Sequence, residues 1–226
     1  MEQFLRHLLI LAAVVLLPGI MSAQNTPVPD TVPYFCDFED ADENANWVLE
    51  NGTCYNRLII DTGVNVTVGG AKSLYVAEEN TWEYHYKIGS SVSGDVSYVS
   101  SRVFAYRDIY FPEAGTYEIG YWWNCMGENQ FDFGRVALAP VTWVFNASTT
   151  DWDSTTSVPG QYFGSSTIPN VDGWQVLDRG HYLSGINAPE YFYTTFEVAT
   201  AGTYRVVVTW NNDGNTGVNP PLMIDD

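Results

Sequence analysis

Hydrophobic and polar positions alternate along two stretches of the chain, and the two stretches are near copies. Ala114-Gly115-Thr116-Tyr117-Glu118-Ile119-Gly120-Tyr121-Trp122-Trp123-Asn124 is echoed by Ala201-Gly202-Thr203-Tyr204-Arg205-Val206-Val207-Val208-Thr209-Trp210-Asn211. A strand turns successive side chains to opposite faces, so Tyr117, Ile119, Tyr121 and Trp123 share one face, as do Tyr204, Val206, Val208 and Trp210. Each glycine turn therefore feeds a strand with one apolar stripe. Two such strands predict an all-β fold, a two-sheet antiparallel β-sandwich around a shared core.

Turn chemistry recurs at strand-like intervals, at Asn51-Gly52, Gly69-Gly70, Ser93-Gly94-Asp95, Gly115, Asp172-Gly173, Gly202 and Asp213-Gly214. Between these turns the pattern predicts strands over Tyr34–Glu39, Trp47–Leu49, Arg57–Asp61, Ser73–Ala77, Tyr98–Phe111, Tyr117–Asn124, Phe131–Ala139, Trp143–Phe145, Tyr191–Val198, Tyr204–Asn211 and Leu222–Ile224. No stretch after the first 23 residues reads as an amphipathic helix. Ser148–Pro169 is polar and reads as a long surface excursion. The run Pro220–Asp226 starts a strand and stops inside it, which predicts a domain truncated in its last strand with further domains beyond.

The N-terminus has a different pattern. Arg6 and His7 precede the apolar run Leu8–Leu17, which Pro18-Gly19 interrupts before Ser22-Ala23. That order predicts a secretory signal peptide over residues 1–23, the run being about half the ~20 residues a spanning helix needs. Residues 24–32 read as a leader and 33–226 as one domain, a length that a single sandwich accommodates. The expected destination is outside the cell or on its surface, with no membrane insertion once the signal is removed. A formal net charge of -18 repels nucleic acid and anionic membranes, and favours divalent cations and neutral or basic partners.

Three cysteines, Cys36, Cys54 and Cys125, follow the signal segment. In an exported chain one disulfide and one spare thiol is the expected arithmetic; three pairings are open, Cys36 with Cys54 being the most local. Enzyme signatures are absent: there is no His-Glu-x-x-His, no Gly-x-Ser-x-Gly and no phosphate-binding glycine loop. Glu128 and Asp132 could in principle form a carboxylate pair for glycoside hydrolysis, but on one strand they would stand ~13 Å apart, beyond the usual inverting spacing unless the chain bends. The expected protein is not an enzyme.

In order along the chain, Cys36-Asp37-Phe38-Glu39, Trp47, Lys72-Ser73-Leu74-Tyr75-Val76, Val103–Ile109, Trp210-Asn211-Asn212-Asp213-Gly214, Pro220-Pro221 and Ile224-Asp225-Asp226 form a set that resembles the MAM domain. The likeness is nearer to its bacterial relatives, the cleaved-adhesin and choice-of-anchor modules, and covers Pro33 to Asp226. The resemblance implies a jelly roll and an adhesion or binding role without catalysis. It also implies cation binding at Glu39 and Asp225. Asp37 or Asp226 and backbone carbonyls would complete the oxygen shell of a structural calcium ion, which takes roughly six to eight oxygens. Cys36 and Cys54 lie further apart than the first cysteine pair of the MAM pattern, which weakens that disulfide.

The ligand face is read from the strand itself. Trp122 points away from Tyr117, Ile119, Tyr121 and Trp123, on the side of Glu118, Gly120 and Asn124. A flat ring flanked by Glu118 and Asn124 suits the apolar face and the hydroxyls of a pyranose, and equally suits an extracellular protein. Trp82, Tyr84 and Tyr86, alternating with Glu83, His85 and Lys87, pose the same choice. The expected function is a secreted or surface module that binds glycan or extracellular protein. The alternative is a structural spacer, or an accessory domain of a larger exported hydrolase.

Overall fold

The computed structural model describes residues 27–89, 99–128, 131–145, 147, 174–178, 180 and 182–226. The signal peptide, the Ser93-Gly94-Asp95 and Asp172-Gly173 turns and the Ser148–Pro169 excursion lie outside the described residues. Among the described residues eleven strands run in chain order: β1 (Asp30–Thr31), β2 (Val48–Glu50), β3 (Asn56–Asp61), β4 (Ser73–Glu78), β5 (Ser101–Phe111), β6 (Gly115–Cys125), β7 (Phe133–Pro140), β8 (Gln175–Val176), β9 (Ile186–Val198), β10 (Gly202–Asn212) and β11 (Met223–Asp225). A single helical turn, α1 (Ala41–Asn44), precedes β2. Asp40 caps it by accepting from the Asp42 and Glu43 amides.

The strands form two sheets, as the alternation predicts. One has the order β1-β5-β10-β7-β8 with β2 also on β5; the other has the order β3-β4-β11-β6-β9. From β5 to β11 every step except β7 to β8 crosses between the sheets, which makes the sandwich a jelly roll. The near-copies fall in different sheets, β6 beside β9 and β10 between β5 and β7. Their stripes meet: Tyr121 and Trp123 from β6 and Val208 and Trp210 from β10 share one buried cluster with Val103, Leu138 and Phe196.

The outer faces are also partly covered. Phe104, Ala137 and Val207 pack under Phe145 and Trp174 outside the first sheet. Outside the second, Tyr75, Ala77 and Met223 pack under Val64, Val66 and Tyr84. The predicted strand Trp143–Phe145 is thus an irregular cover rather than a ladder member, and Tyr34–Glu39 is likewise irregular. Trp82, Tyr84 and Tyr86 form no strand either; Tyr86 is buried and Trp82 exposed.

Arg107 of β5 is buried, and a buried guanidinium needs partners. Glu43 meets it with both carboxylate oxygens, at 2.6 and 3.0 Å, and the Val28 carbonyl accepts from it at 2.5 Å. With β1 paired to β5, this ties residues 28–31 to the edge of the first sheet. Glu43 is thereby the anchor that fixes α1 against β5.

The disulfide expectation is corrected. Cys36, Cys54 and Cys125 are all buried thiols, and Cys36 is not joined to Cys54. The Cys54 sulfur lies 3.8 Å from the Arg102 carbonyl, whereas Cys36 sits beside Tyr34, and burial raises its pKa. Each sulfur is directed by its own packing neighbours.

Candidate functional site

The open part of the second sheet's outer face is aromatic. Register places Trp122 opposite Tyr191, Gly120 opposite Tyr193 and Glu118 opposite Thr195. Directly opposed residues share a face, so Trp122, Tyr191, Tyr193 and Glu118 form one strip. Trp122 is 36 % exposed, Tyr191 53 % and Tyr193 64 %, whereas the neighbouring Trp123 has no exposed surface. The rings of Trp122 and Tyr191 are 5.6 Å apart, centre to centre. A Cβ at Gly120 would overlap the Tyr191 hydroxyl, so this ring crosses β6 and rests on the gap that the glycine leaves.

Asn124 is corrected. It lies on the same side of β6 but is only 6 % exposed, opposite Met223 and close to Tyr84, whose hydroxyl donates to the Pro221 carbonyl at 2.8 Å. The cover over β11 therefore removes Asn124 from any ligand surface.

The residues expected to bind a cation, Glu39 and Asp225, bond to different parts of the loop between β3 and β4, and among the described residues they form no group of three carboxylates within 4.8 Å. Asp225 is paired with Trp122 in β11 and is buried. Its Oδ2 accepts from Asn65 Nδ2 (3.3 Å), the Val66 and Thr67 amides (3.0 and 3.3 Å) and Thr67 Oγ1 (3.1 Å). Burial raises its pKa against those bonds. Glu39 reaches the other end of the loop, where its Oε1 accepts from the Ala71 and Lys72 amides at 2.5 and 2.7 Å. These bonds lower its pKa. A Cβ at Gly70 would stand 2.7 Å from Asn65 Nδ2 and 2.9 Å from Glu39 Oε1, so the glycine leaves an opening between the two carboxylates' partners. Asp226 Oδ2 accepts from Thr67 Oγ1 at 2.9 Å, while its Oδ1 is buried without a hydrogen-bond partner. Asp37 acts on its neighbour instead, since its Oδ1 accepts from the Glu39 amide at 3.1 Å and orients that residue.

A second acidic group was not legible as such. Glu128, Asp132 and Asp213 bring carboxylate oxygens within 4.8 Å of one another, a set that could hold a metal ion. The ~13 Å separation expected for Glu128 and Asp132 on a continuous strand fails because the chain turns back on itself there. The Glu128 amide donates to the Asp132 carbonyl at 2.9 Å and the Asp132 amide to the Glu128 carbonyl at 2.7 Å, with Gly127 at φ 50° leading in. Asp132 is fully buried, and its carboxylate accepts from Tyr86 Oη at 2.7 Å and the Asp213 amide at 3.0 Å. Burial, only partly offset by these bonds, pushes its pKa up to about 8. Both oxygens of Asp132 are engaged, while Glu128 and Asp213 are half-buried.

Tyr191 and Tyr193 are the site residues that the strand pattern missed. Their signal is present, since both fall on the polar-facing positions of β9, but only the register with β6 places them beside Trp122. No known family model matches the chain, and no curated protein matches it. Among solved structures, the chain is similar to TmCBM61 in complex with β-1,4-galactotriose, with 11% identity, 80% of this chain and 84% of that chain covered, and a TM-score of 0.35.

Proposed function

We propose that this chain is a non-catalytic, exported binding module for a glycan, and that Trp122, Tyr191, Tyr193 and Glu118 form its binding face. The observation that carries this reading is the Tyr191 ring resting over Gly120 next to half-exposed Trp122. Two adjoining rings on a rigid sheet cover the C–H faces of successive sugar units with little ordering cost, and Glu118 accepts hydroxyl hydrogen bonds at the edge. A glycan array followed by titration calorimetry tests it. Trp122→Ala and Tyr191→Ala should each weaken the selected glycan by ~10-fold or more while leaving the melting curve nearly unchanged. Absence of binding to any glycan would leave the spacer or the accessory hydrolase domain; binding to an extracellular matrix protein through the same residues would change the ligand class.

The same reading includes a structural calcium ion at Glu39, Asp225 and Asp226. Its support is the unpartnered, buried Asp226 Oδ1 and the opening at Gly70, with Thr67 Oγ1 as a neighbouring oxygen. Carboxylate and hydroxyl oxygens on loops are the donors that calcium accepts in irregular geometry. The ion would supply charge that lets buried Asp225 stay ionised, and would clamp the loop to the final strand. Asp37 would hold Glu39 in place without ligating.

A further inference from the structure

Among the described residues the aromatic strip is open at one end and closed at the other. Along the outward positions of β6, Glu118 is exposed and Trp122 partly so, but the next one, Asn124, is covered. Tyr84 makes that stop. Its hydroxyl donates to the Pro221 carbonyl at 2.8 Å and lies 3.5 Å from the Asn124 carbonyl, and its ring meets Tyr75 edge-on at 5.7 Å between centres. One flank of Trp122 is walled as well. Asp225 stands directly opposite it in β11, and such opposed residues have Cβ atoms ~4.5–5.5 Å apart. The Asn65, Val66 and Thr67 donors converge on the Asp225 carboxylate, so the loop that carries them flanks Trp122. Tyr191 occupies the other flank. Trp122 therefore stands in a corner, and the rings run out of it in one direction: the Tyr191 hydroxyl lies over Gly120, and Tyr193 follows opposite Gly120.

We infer that the strip takes the end of a neutral glycan chain: the terminal sugar stacks on Trp122 in the corner, and the chain leaves over Tyr191 and Tyr193 toward Glu118. This rests on the glycan reading of the strip and narrows it from a sugar-binding face to a chain-end site. The stop carries the inference. A chain bound through its interior needs an exit at both ends of the strip, whereas a chain that continued past Trp122 along β6 would meet Tyr84. A terminal sugar has a free side with no further unit attached, and only that side fits against a wall. Each ring away from the corner then covers the apolar face of a following unit. The charge class follows from the same surface. Glu118 on the strip and a formal net charge of -18 select against uronates and sulfate esters, which would bring like charges together.

The probes are the linear neutral glycans of the array, xylan, mannan and β-1,3-glucan among them, each titrated calorimetrically into the full chain as the polymer and as a size ladder cut from it. For a glycan that binds, the number of protein molecules per glycan molecule should stay the same from short oligomer to polymer, because ends do not multiply with length. Trp122→Ala should weaken every member of the ladder, by ~10-fold or more. Tyr84→Ala takes away the stop and should let chain interiors bind, so that in this variant the number rises with length; if the variant does not fold, the titration of the wild type decides alone. A number that rises with length in the wild type would overturn chain-end binding and leave the glycan strip standing. A folded Tyr84→Ala protein that still binds a fixed number would overturn the corner. Binding confined to uronate or sulfated chains would overturn the neutral class, and no binding to any glycan would overturn this inference together with the reading it rests on.

Discussion

Asp132→Asn is the substitution whose effect the structure sets most sharply. Asp132 has no exposed surface, and burial lifts its pKa from 3.8 to about 8. In the unfolded chain it titrates near its ordinary value, so between roughly pH 4 and 8 the folded state holds a proton that the unfolded state has released. The stabilisation is fully present below the unfolded pKa and is lost as pH rises through the folded one. Each pH unit inside that window is worth up to ~1.4 kcal/mol, so raising the pH from about 6 to 7.5 should cost about 2 kcal/mol. For a sandwich of this size that is a fall of roughly 4–8 °C in Tm. The carboxamide that replaces the carboxyl still accepts from the Asp213 amide through Oδ1 and can donate from Nδ2 to Tyr86 Oη, which reverses that hydrogen bond and leaves the tyrosine hydrogen to find another acceptor. Thermal melts of wild type and variant, in EDTA so that no cation between Glu128, Asp132 and Asp213 masks the effect, make the comparison. The variant should be nearly flat across this window and gain most on wild type at the alkaline end. An identical pH slope in both proteins would refute the assignment of the slope to Asp132.

Three further outcomes follow from the same geometry. Trp123→Ala should cost roughly 3–5 kcal/mol in chemical denaturation, since a fully buried ring leaves a cavity, in contrast to the nearly neutral Trp122→Ala. Gly120→Ala should displace the Tyr191 ring, abolishing glycan binding at little cost in stability; calorimetry that finds unchanged affinity would remove Tyr191 from the platform. Calcium at a hundredfold excess over its Kd should stabilise the chain by ~2.7 kcal/mol over the EDTA form, and Glu39→Gln or Asp225→Asn, which keep an acceptor for the loop amides, should erase that increment. An EDTA melt that overlays the calcium melt would eliminate a stabilising site.

Alternation at period two was enough to place Trp123 inside and Trp122 outside, and to read the β6 and β10 copies as strands of a sandwich, because side-chain direction in a strand depends only on the local backbone. Capping followed the same local logic: Asp40 next to Asp42 and Glu43 makes a one-turn helix too short to show a periodic apolar face. What lies across a ladder could not be read that way. Tyr191 is 69 positions from Trp122 in the chain, by subtraction of their numbers, and meets it only through the register of β9 on β6. Glu39, Asn65, Gly70 and Asp225 likewise come together because the β3–β4 loop folds over the outer face of β11. Asn124 shows the converse, a residue with outward direction that a distant tyrosine covers. Glu128 and Asp132 show that even four residues are unpredictable when a glycine turn replaces a strand. Direction is a property of one residue's φ and ψ, and the sequence alone determines it; proximity and burial are properties of pairs brought together by non-local pairing, and only the tertiary structure decides them.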